Sequence, residues 1–370
     1  MMGQEESRPS WFERHSLAMT ITVCFIIFFT LDFLSARVCR MVIGNTPAEK
    51  RSLELHKQEK AFRVKSDIFH HGLTKNTCVR GIKCDSEYDI ITNSLGFRDK
   101  EIRDVPLVTE KYRIVLIGDS FTEGIGVDYE DTFAGLLDSK LSKRGIEVLN
   151  AGVVSYSPII YWQKVKYLLE DVGLRFNKLI VFLDISDVFD EVELTQGGNG
   201  VRHVSPKLKM QKLGKGLKQF LKKNTTVTFG LSKKLYNISK AYRTIRLKNA
   251  WLYDEIAYAK YGISGLANMR LHMDRLKELL ERNNIELAVV IYPWPELVIK
   301  PGIAPEYISF WQDWCDKSEV LFVNLFPYFI PDSYKEQRIF IDKYFIKGDI
   351  HFSEEGHKYV ADLLSNANIL

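Results

Sequence analysis

Residues 114–124 read IVLIGDSFTEG, an apolar run that stops abruptly on a glycine, a carboxylate and a serine. Apolar side chains without alternation suit a strand buried on both faces, the kind that occupies the middle of a parallel sheet. Gly118 then allows a tight bend. Ser120 falls where the strand ends and a helix begins, the place where reactive groups gather in open α/β sheets. A serine that merely caps the following helix would look the same, so this stretch alone leaves its chemistry open.

The same grammar recurs along the chain. Strand-like runs at Arg113–Ile117, Glu147–Asn150, Leu179–Leu183, Leu287–Tyr292 and Leu321–Leu325 alternate with helical patterns at Phe133–Leu141, Ile159–Leu169, Leu266–Leu280 and Glu355–Leu364. Such alternation predicts an α/β fold, a three-layer domain with a mostly parallel sheet covered by helices. With 370 residues the chain has room for one large domain or two modest ones. The expected organisation is a tail at 1–15, an apolar segment at 16–36, a connector and N-terminal extension at 37–108, and the main domain at 109–370 with an insertion at 194–252. Residues 45–75 are charged and weakly amphipathic, which predicts a short helix or linker, and residues 88–102 are expected to extend and turn about Gly96.

The segment SLAMTITVCFIIFFTLDFLSA, Ser16–Ala36, spans 21 residues with Asp32 near its end. As a helix it reaches about 30 Å, enough to cross a bilayer core. A membrane anchor is the expected reading. A cleaved signal is the rival, against which stand the length of the run and the lack of a small-x-small site before Arg37; a buried helix is the third reading. Arg8 and Arg14 precede the span while Arg37, Arg40, Lys50 and Arg51 follow it, so charge does not orient it. Cys78 and Cys84 are close enough for a loop disulfide, and two free thiols fit equally well. No Cys and His set has structural-zinc spacing, and His70 and His71 lack carboxylates at ligand spacing, so neither a metal nor a cofactor is expected.

Charge is uneven. Leu194–Leu252 holds 14 Lys or Arg and no Asp or Glu, while the whole chain is only +4, leaving about −10 elsewhere. Met210, Leu213, Leu217, Phe220 and Leu221 recur at helical spacing, as do Leu231, Leu235, Ile238, Tyr242 and Ile245. Two basic amphipathic helices follow, either as a solvated hairpin or as a surface for anionic headgroups, an anionic glycan or a protein partner. Nucleic acid is not expected, since no recognition motif accompanies the charge.

The C-terminal stretch GDIHFSEEGH, Gly348–His357, places a carboxylate two residues before a histidine and just ahead of the last helix. In an extended turn these two side chains project to one side. Asp349 can then take the Nδ1 proton of His351, leaving Nε2 as a base for Ser120 in attack on an acyl carbon. This requires the fold to return the C-terminal loop to the first central strand.

The blocks GDSFTEG, NAGVVSYS (Asn150–Ser157) and DIHFSEEGH, in that order, resemble those of the SGNH hydrolases, also called GDSL esterases, and NSLGFRDKE resembles a lead-in of some bacterial members. The resemblance spans roughly residues 90–370. It implies a flavodoxin-like three-layer domain that hydrolyses or transfers an ester-linked acyl group, with Ser120 as nucleophile, Asp349 as orienting acid and His351 as base. The backbone N–H groups of Ser120 and Ser155 would receive the oxyanion, Ser155 standing where the family has a glycine. The third block departs from the family pattern. Where Gly-x-Asn-Asp is usual, this chain has Asp184-Ile185-Ser186-Asp187 followed by Asp190, so Ser186 replaces an asparagine donor and negative charge stands near a developing oxyanion.

Other residues have structural readings. Asp119 is expected to brace the serine loop, Arg98 to pair with Asp99 or another local acid rather than a substrate carboxylate, and His357 to pack or face solvent. Tyr292, Trp294 and Trp311 are read as core, with a sugar-stacking wall as the other possibility. The resulting expectation is a serine esterase or O-acyltransferase acting on an acylated cell-envelope polysaccharide, single-pass in a bacterial inner membrane with its catalytic domain extracytoplasmic, and with a membrane protein as a candidate partner. A lipid or lysophospholipid esterase and a noncatalytic envelope scaffold are the alternatives.

Overall fold

The computed structural model describes residues 15–43, 54, 57–83, 87–196, 225, 248–300, 302, 304–367 and 369–370. Contacts divide the chain into two units. The first contains helix α1, Ser16–Ile43, and the second contains residues 51–201 and 245–370. Within α1, Ser16–Val38 forms a 23-residue span of mean hydropathy 2.3, long and apolar enough to cross a membrane. Its Thr20, Thr22 and Thr30 hydroxyls donate back to the carbonyls of Ser16, Ala18 and Ile26 at 2.7–2.9 Å, which satisfies them without water.

In the second unit, residues 57–62 are helical and lead into two antiparallel hairpins: β1, Arg63–Ser66, with β2, His70–Leu73; and β3, Cys78–Lys83, with β4, Glu87–Ile91. The short helix was expected over residues 45–75; the β1–β2 hairpin was not, because four-residue strands with exposed positions leave almost no periodic signal. Residues 92–99 then turn about Gly96, which has φ +73° and would drive a Cβ to 2.6 Å from the Leu73 carbonyl oxygen. Cys78 carries a free thiol, while Cys84 lies outside the described residues.

The main sheet has five parallel strands: β5, Tyr112–Ile117; β6, Ile146–Asn150; β7, Lys178–Leu183; β8, Glu286–Ile291; and β9, Leu321–Asn324. Their spatial order is β6-β5-β7-β8-β9. Burial explains the unalternating sequence: Ile114–Ile117 and Leu179–Leu183 are all inaccessible to solvent or nearly so.

The connecting helices are α2, Ser120–Glu123; α3, Phe133–Ser142; α4, Pro158–Lys166; α5, Asp187–Gln196; α6, Ile263–Arg282; α7, Pro305–Ser318; α8, Tyr334–Tyr344; and α9, Glu354–Asn366. From β5 the chain steps to β6, then reverses across β5 to β7. Right-handed crossovers therefore put α3 on one face and α4 to α7 on the other. Packing agrees: α3 lies against α9, α4 and α5 lie against α6, and the Trp314 indole of α7 donates to Asp274 of α6 at 2.7 Å.

The reversal puts the carboxyl end of β5 where the strand order switches direction, the position at which open α/β sheets take ligands. The loops after β5 and β6 are tied together there. Ala151 and Val153 donate their N–H groups to the carbonyls of Leu116 and Gly118, and the Asn150 amide donates to the Thr122 carbonyl at 2.7 Å. The insertion's basic helices lie outside the described residues, apart from its ends. There Trp251 is buried and donates to the Ile185 carbonyl at 3.1 Å.

Gly152 is a close approach at this junction, since a Cβ would stand 2.6 Å from the Thr122 side chain and 2.9 Å from the Glu123 nitrogen. Gly152→Ala is therefore expected to destabilise the protein by about 1–3 kcal/mol. Gly302→Ala, where a Cβ meets open space, should stay within about 0.5 kcal/mol. Thermal or urea unfolding midpoints of the two variants check this.

Candidate active site

Ser120 begins α2 directly beyond β5. The bend before it demands glycine, for a Cβ on Gly118 would lie 2.2 Å from Thr122 Oγ1 and 2.9 Å from Phe182 Cβ. Asp119 caps the helix, accepting the Phe121 N–H at 3.0 Å, and its carboxylate also accepts the Tyr292 hydroxyl at 3.1 Å. The expected bracing role of Asp119 is thus visible in its bonds. Ser120 itself is 6% exposed.

The C-terminal loop returns to this point. It turns at Gly348, φ +81°, and closes with bonds from Ile346 N–H to the His351 carbonyl and from Asp349 N–H to the Ile346 carbonyl. Phe352 anchors it among the rings of Phe121, Phe329, Phe345 and Tyr292, at centroid distances of 4.9–5.6 Å. The adjacent His351 ring packs against Phe121, tilted at 48° with centroids 5.1 Å apart. Ser120 Oγ lies 2.8 Å from His351 Nε2, and His351 Nδ1 lies 3.0 Å from Asp349 Oδ1. If Nδ1 carries the proton, it donates to Asp349 and Nε2 accepts from the serine. Burial opposes the charge on Asp349, but hydrogen bonds and charge from the His351 ring, with the Ile350 and His351 amides, outweigh it and hold the carboxyl below its ordinary range.

Ser155 lies in the loop after β6 with φ +58°, the left-handed region that favours glycine. An L-residue there costs roughly 1–2 kcal/mol, so the surrounding bonds must hold it. Ser155 is exposed, and among the described residues neither its N–H nor that of Ser120 has a hydrogen-bond partner.

Ser186 is placed differently. Its hydroxyl donates to Asp184 Oδ2 at 2.8 Å, so its single proton is committed to a carboxyl group. Asp184 also accepts the Trp294 indole N–H at 2.6 Å, while Asp187 accepts the Tyr161 hydroxyl at 3.0 Å. Burial, then the neighbouring Asp119, pushes Asp184 and Asp187 well above the usual carboxylate range. That favours their neutral acids and reduces the negative charge feared from the sequence. Asp190 pairs with Lys248 at 3.0 Å.

Of the residues given structural readings, Arg98 departs from its reading and the others keep theirs. Arg98 does not pair with Asp99. It is fully buried and donates to the carbonyls of Asp89, Glu123, Gly124 and Val127, while Asp99 takes Arg103 at 2.8 Å and the Asn93 amide at 2.9 Å. A guanidinium presents a fan of donors, and the bend after α2 offers a fan of carbonyls. Tyr292 and Trp294 are buried and committed to Asp119 and Asp184, and Trp311 is core, so these three form no sugar-stacking wall. His357 packs, the first of its two expected placements: it is buried, and its Nδ1 accepts the Phe133 N–H at 3.2 Å.

Glu123 was not singled out from the sequence, although it lies within GDSFTEG. It is fully buried and takes Arg63 of β1 at 2.9 and 3.1 Å and the Val154 N–H at 2.7 Å. Burial resists its charge, and the Arg63 guanidinium outweighs that, leaving its carboxyl below the usual range. Its partners are 60 and 31 residues away, beyond any local signal.

No family model and no curated protein matches the sequence. Solved structures do resemble it in fold at low identity. The acetyl xylan esterase AlAXEase shares 14% identity over 70% of this chain and 100% of its own, with a TM-score of 0.41. A GDSL-like lipase from Bacteroides thetaiotaomicron VPI-5482 shares 12% over 71% and 91%, with a TM-score of 0.38. The psychrotrophic esterase EstA from Pseudoalteromonas sp. shares 12% over 70% and 96%, with a TM-score of 0.35.

His357 makes the junction between the last helix and α3 sensitive to acid. Burial, reinforced by the charges of Arg98 and His351, lowers its pKa from the ordinary 6.5 to about 3. Between those values the unfolded chain binds a proton that the folded chain refuses, so stability rises with pH. The contribution is complete above about 6.5 and is lost as pH falls toward 3, at up to about 1.4 kcal/mol per unit. His357→Asn, which keeps an acceptor for Phe133 but does not titrate, should flatten the fall in unfolding midpoint between pH 7 and pH 4 relative to wild type.

Proposed function

We propose that this chain is a membrane-anchored serine acyl-ester hydrolase of the SGNH type with a flavodoxin-like sheet. The observation that carries the reading is the continuous line Ser120 Oγ, His351 Nε2, His351 Nδ1, Asp349 Oδ1, with separations of 2.8 and 3.0 Å. Its strand order, second strand first and then the remaining strands in sequence, is that of flavodoxin-like sheets, with the serine at the switch point.

In the reaction, Ser120 Oγ attacks the acyl carbon while its proton passes to His351 Nε2. Asp349 holds the ring and stabilises the imidazolium. The carbonyl oxygen becomes an oxyanion facing the N–H groups of Ser120 and Ser155, which have no competing partner among the described residues. Collapse expels the alcohol, which takes the proton from His351. Water then attacks the acyl-serine through the same groups, regenerating the hydroxyl and releasing the acid. An alcohol in place of water would give transfer.

For the substrate, a lipid or lysophospholipid ester is favoured over an acylated envelope glycan. The 23-residue apolar span tethers the chain where lipid esters are concentrated, and the aromatic residues that would have walled a sugar site are buried. The span also supports a single-pass placement, which we assign to a bacterial inner membrane with the second unit on the extracytoplasmic side.

Full-length protein in detergent should react with a fluorophosphonate and hydrolyse short acyl esters. Ser120→Ala and His351→Ala should each lower kcat/KM by about 10³-fold or more, and Ser120→Ala should abolish labelling. Lysophospholipid should be turned over faster than acetylated xylan or another O-acetyl glycan, the reverse preference favouring the glycan reading. Folded wild type inert toward the whole panel, or Ser120→Ala labelled as readily as wild type, would overturn the assignment.

A further inference from the structure

The turn that carries Ser155 is held by a hairpin that does not belong to the main sheet. His71, on β2, places Nε2 2.7 Å from the Val154 carbonyl oxygen. A carbonyl only accepts, so His71 Nε2 bears the hydrogen. His71 Nδ1 lies 2.7 Å from His70 Nδ1, so in the neutral ring it accepts and His70 Nδ1–H donates. The Tyr156 hydroxyl donates in return to the His71 carbonyl at 2.6 Å, and the Tyr156 and His71 rings meet at a centroid distance of 5.0 Å. On the other side of the same peptide unit's residue, the Val154 N–H is taken by Glu123, which is itself gripped by Arg63 of β1.

Both residues flanking Ser155 are thus fastened to His71, and Ser155 stands between them in a left-handed conformation with its N–H unclaimed among the described residues. An unheld serine would relax to negative φ and swing that N–H away. Burial of His71 lowers its pKa, consistent with the neutral tautomer that this bonding requires.

We propose that His71 is a positioning residue for ester hydrolysis, aiming the Ser155 N–H at the oxyanion through the Val154 carbonyl and Tyr156. The inference rests on the function proposed above, and it assigns a role in that reaction to the N-terminal hairpin.

The test uses full-length protein in detergent, with p-nitrophenyl acetate as substrate and hydrogen exchange followed on peptides covering residues 151–157. His71→Ala should lower kcat at least tenfold with KM changed less than about threefold, as for partial loss of one oxyanion donor. Amide exchange at Val154 and Tyr156, whose N–H groups are bonded, should accelerate while the β7 and β8 amides stay protected. His71→Gln, whose side-chain amide can donate to the same carbonyl, should recover most of both losses. Unchanged exchange in His71→Ala overturns the proposal whatever the activity. So does kcat within twofold of wild type, or a loss that follows a fall in unfolding midpoint and is not recovered by His71→Gln. If wild type hydrolyses no ester, the functional reading fails through that control, and the exchange arm still decides whether His71 holds the turn.

Discussion

A single hydrogen bond, from Ser120 to His351, joins two points 231 residues apart, and the architecture around it can be understood as the means of making that contact. β5 and the C-terminal loop must both arrive at the sheet's switch point. The loop does not pair with the main sheet; its own ends meet in an antiparallel bridge between Phe345 and Phe352. It is positioned instead by aromatic packing around Phe352 and by the helix behind it, where a buried neutral imidazole accepts the backbone N–H of Phe133. Apolar burial supplies the general driving force, while the few directional bonds select the geometry.

The N-terminal extension does comparable work on the opposite wall of the site. Arg98 sends its guanidinium into the bend after α2, and Arg63 neutralises Glu123 between that helix and the Ser155 turn. A buried charge is tolerable only when surrounded by partners, and removing one partner strands the other. These residues therefore make the loops after β5 and β6 depend on segments that precede the main sheet in the chain. The buried acids Asp184 and Asp187 solve a different problem. Burial there favours neutral carboxyls, which limits the negative charge these residues would bring to the proposed oxyanion site.

Much of this was legible in the sequence because it repeats or because it is local. The five sheet strands declare themselves through unbroken apolar runs, and the Asp349 and His351 pair through its two-residue spacing. Asp119 reads correctly as a brace because a cap acts within a few residues. The β1–β2 hairpin was hidden by its brevity, and Arg98 was misassigned because an adjacent acid is a tempting partner while carbonyls from a distant bend carry no sequence signature. Glu123 and His71 were opaque for the same reason: their meaning lies in backbone groups of the Val154–Tyr156 turn, which any sequence could supply. Tyr292 and Trp294 read properly as interior residues, yet only coordinates reveal that their polar edges serve two aspartates.

On the proposed reading, one hydroxyl, one imidazole and two backbone amides converge on a single reacting carbon. A crystal structure of the full chain after reaction with a fluorophosphonate examines all of them at once. The account predicts phosphorus bonded to Ser120 Oγ, with the phosphoryl oxygen within hydrogen-bonding distance of the Ser120 and Ser155 N–H groups and His351 Nε2 facing the oxygen that models the departing alcohol. Phosphorus on any other residue, or a phosphoryl oxygen turned away from both amides, would contradict it.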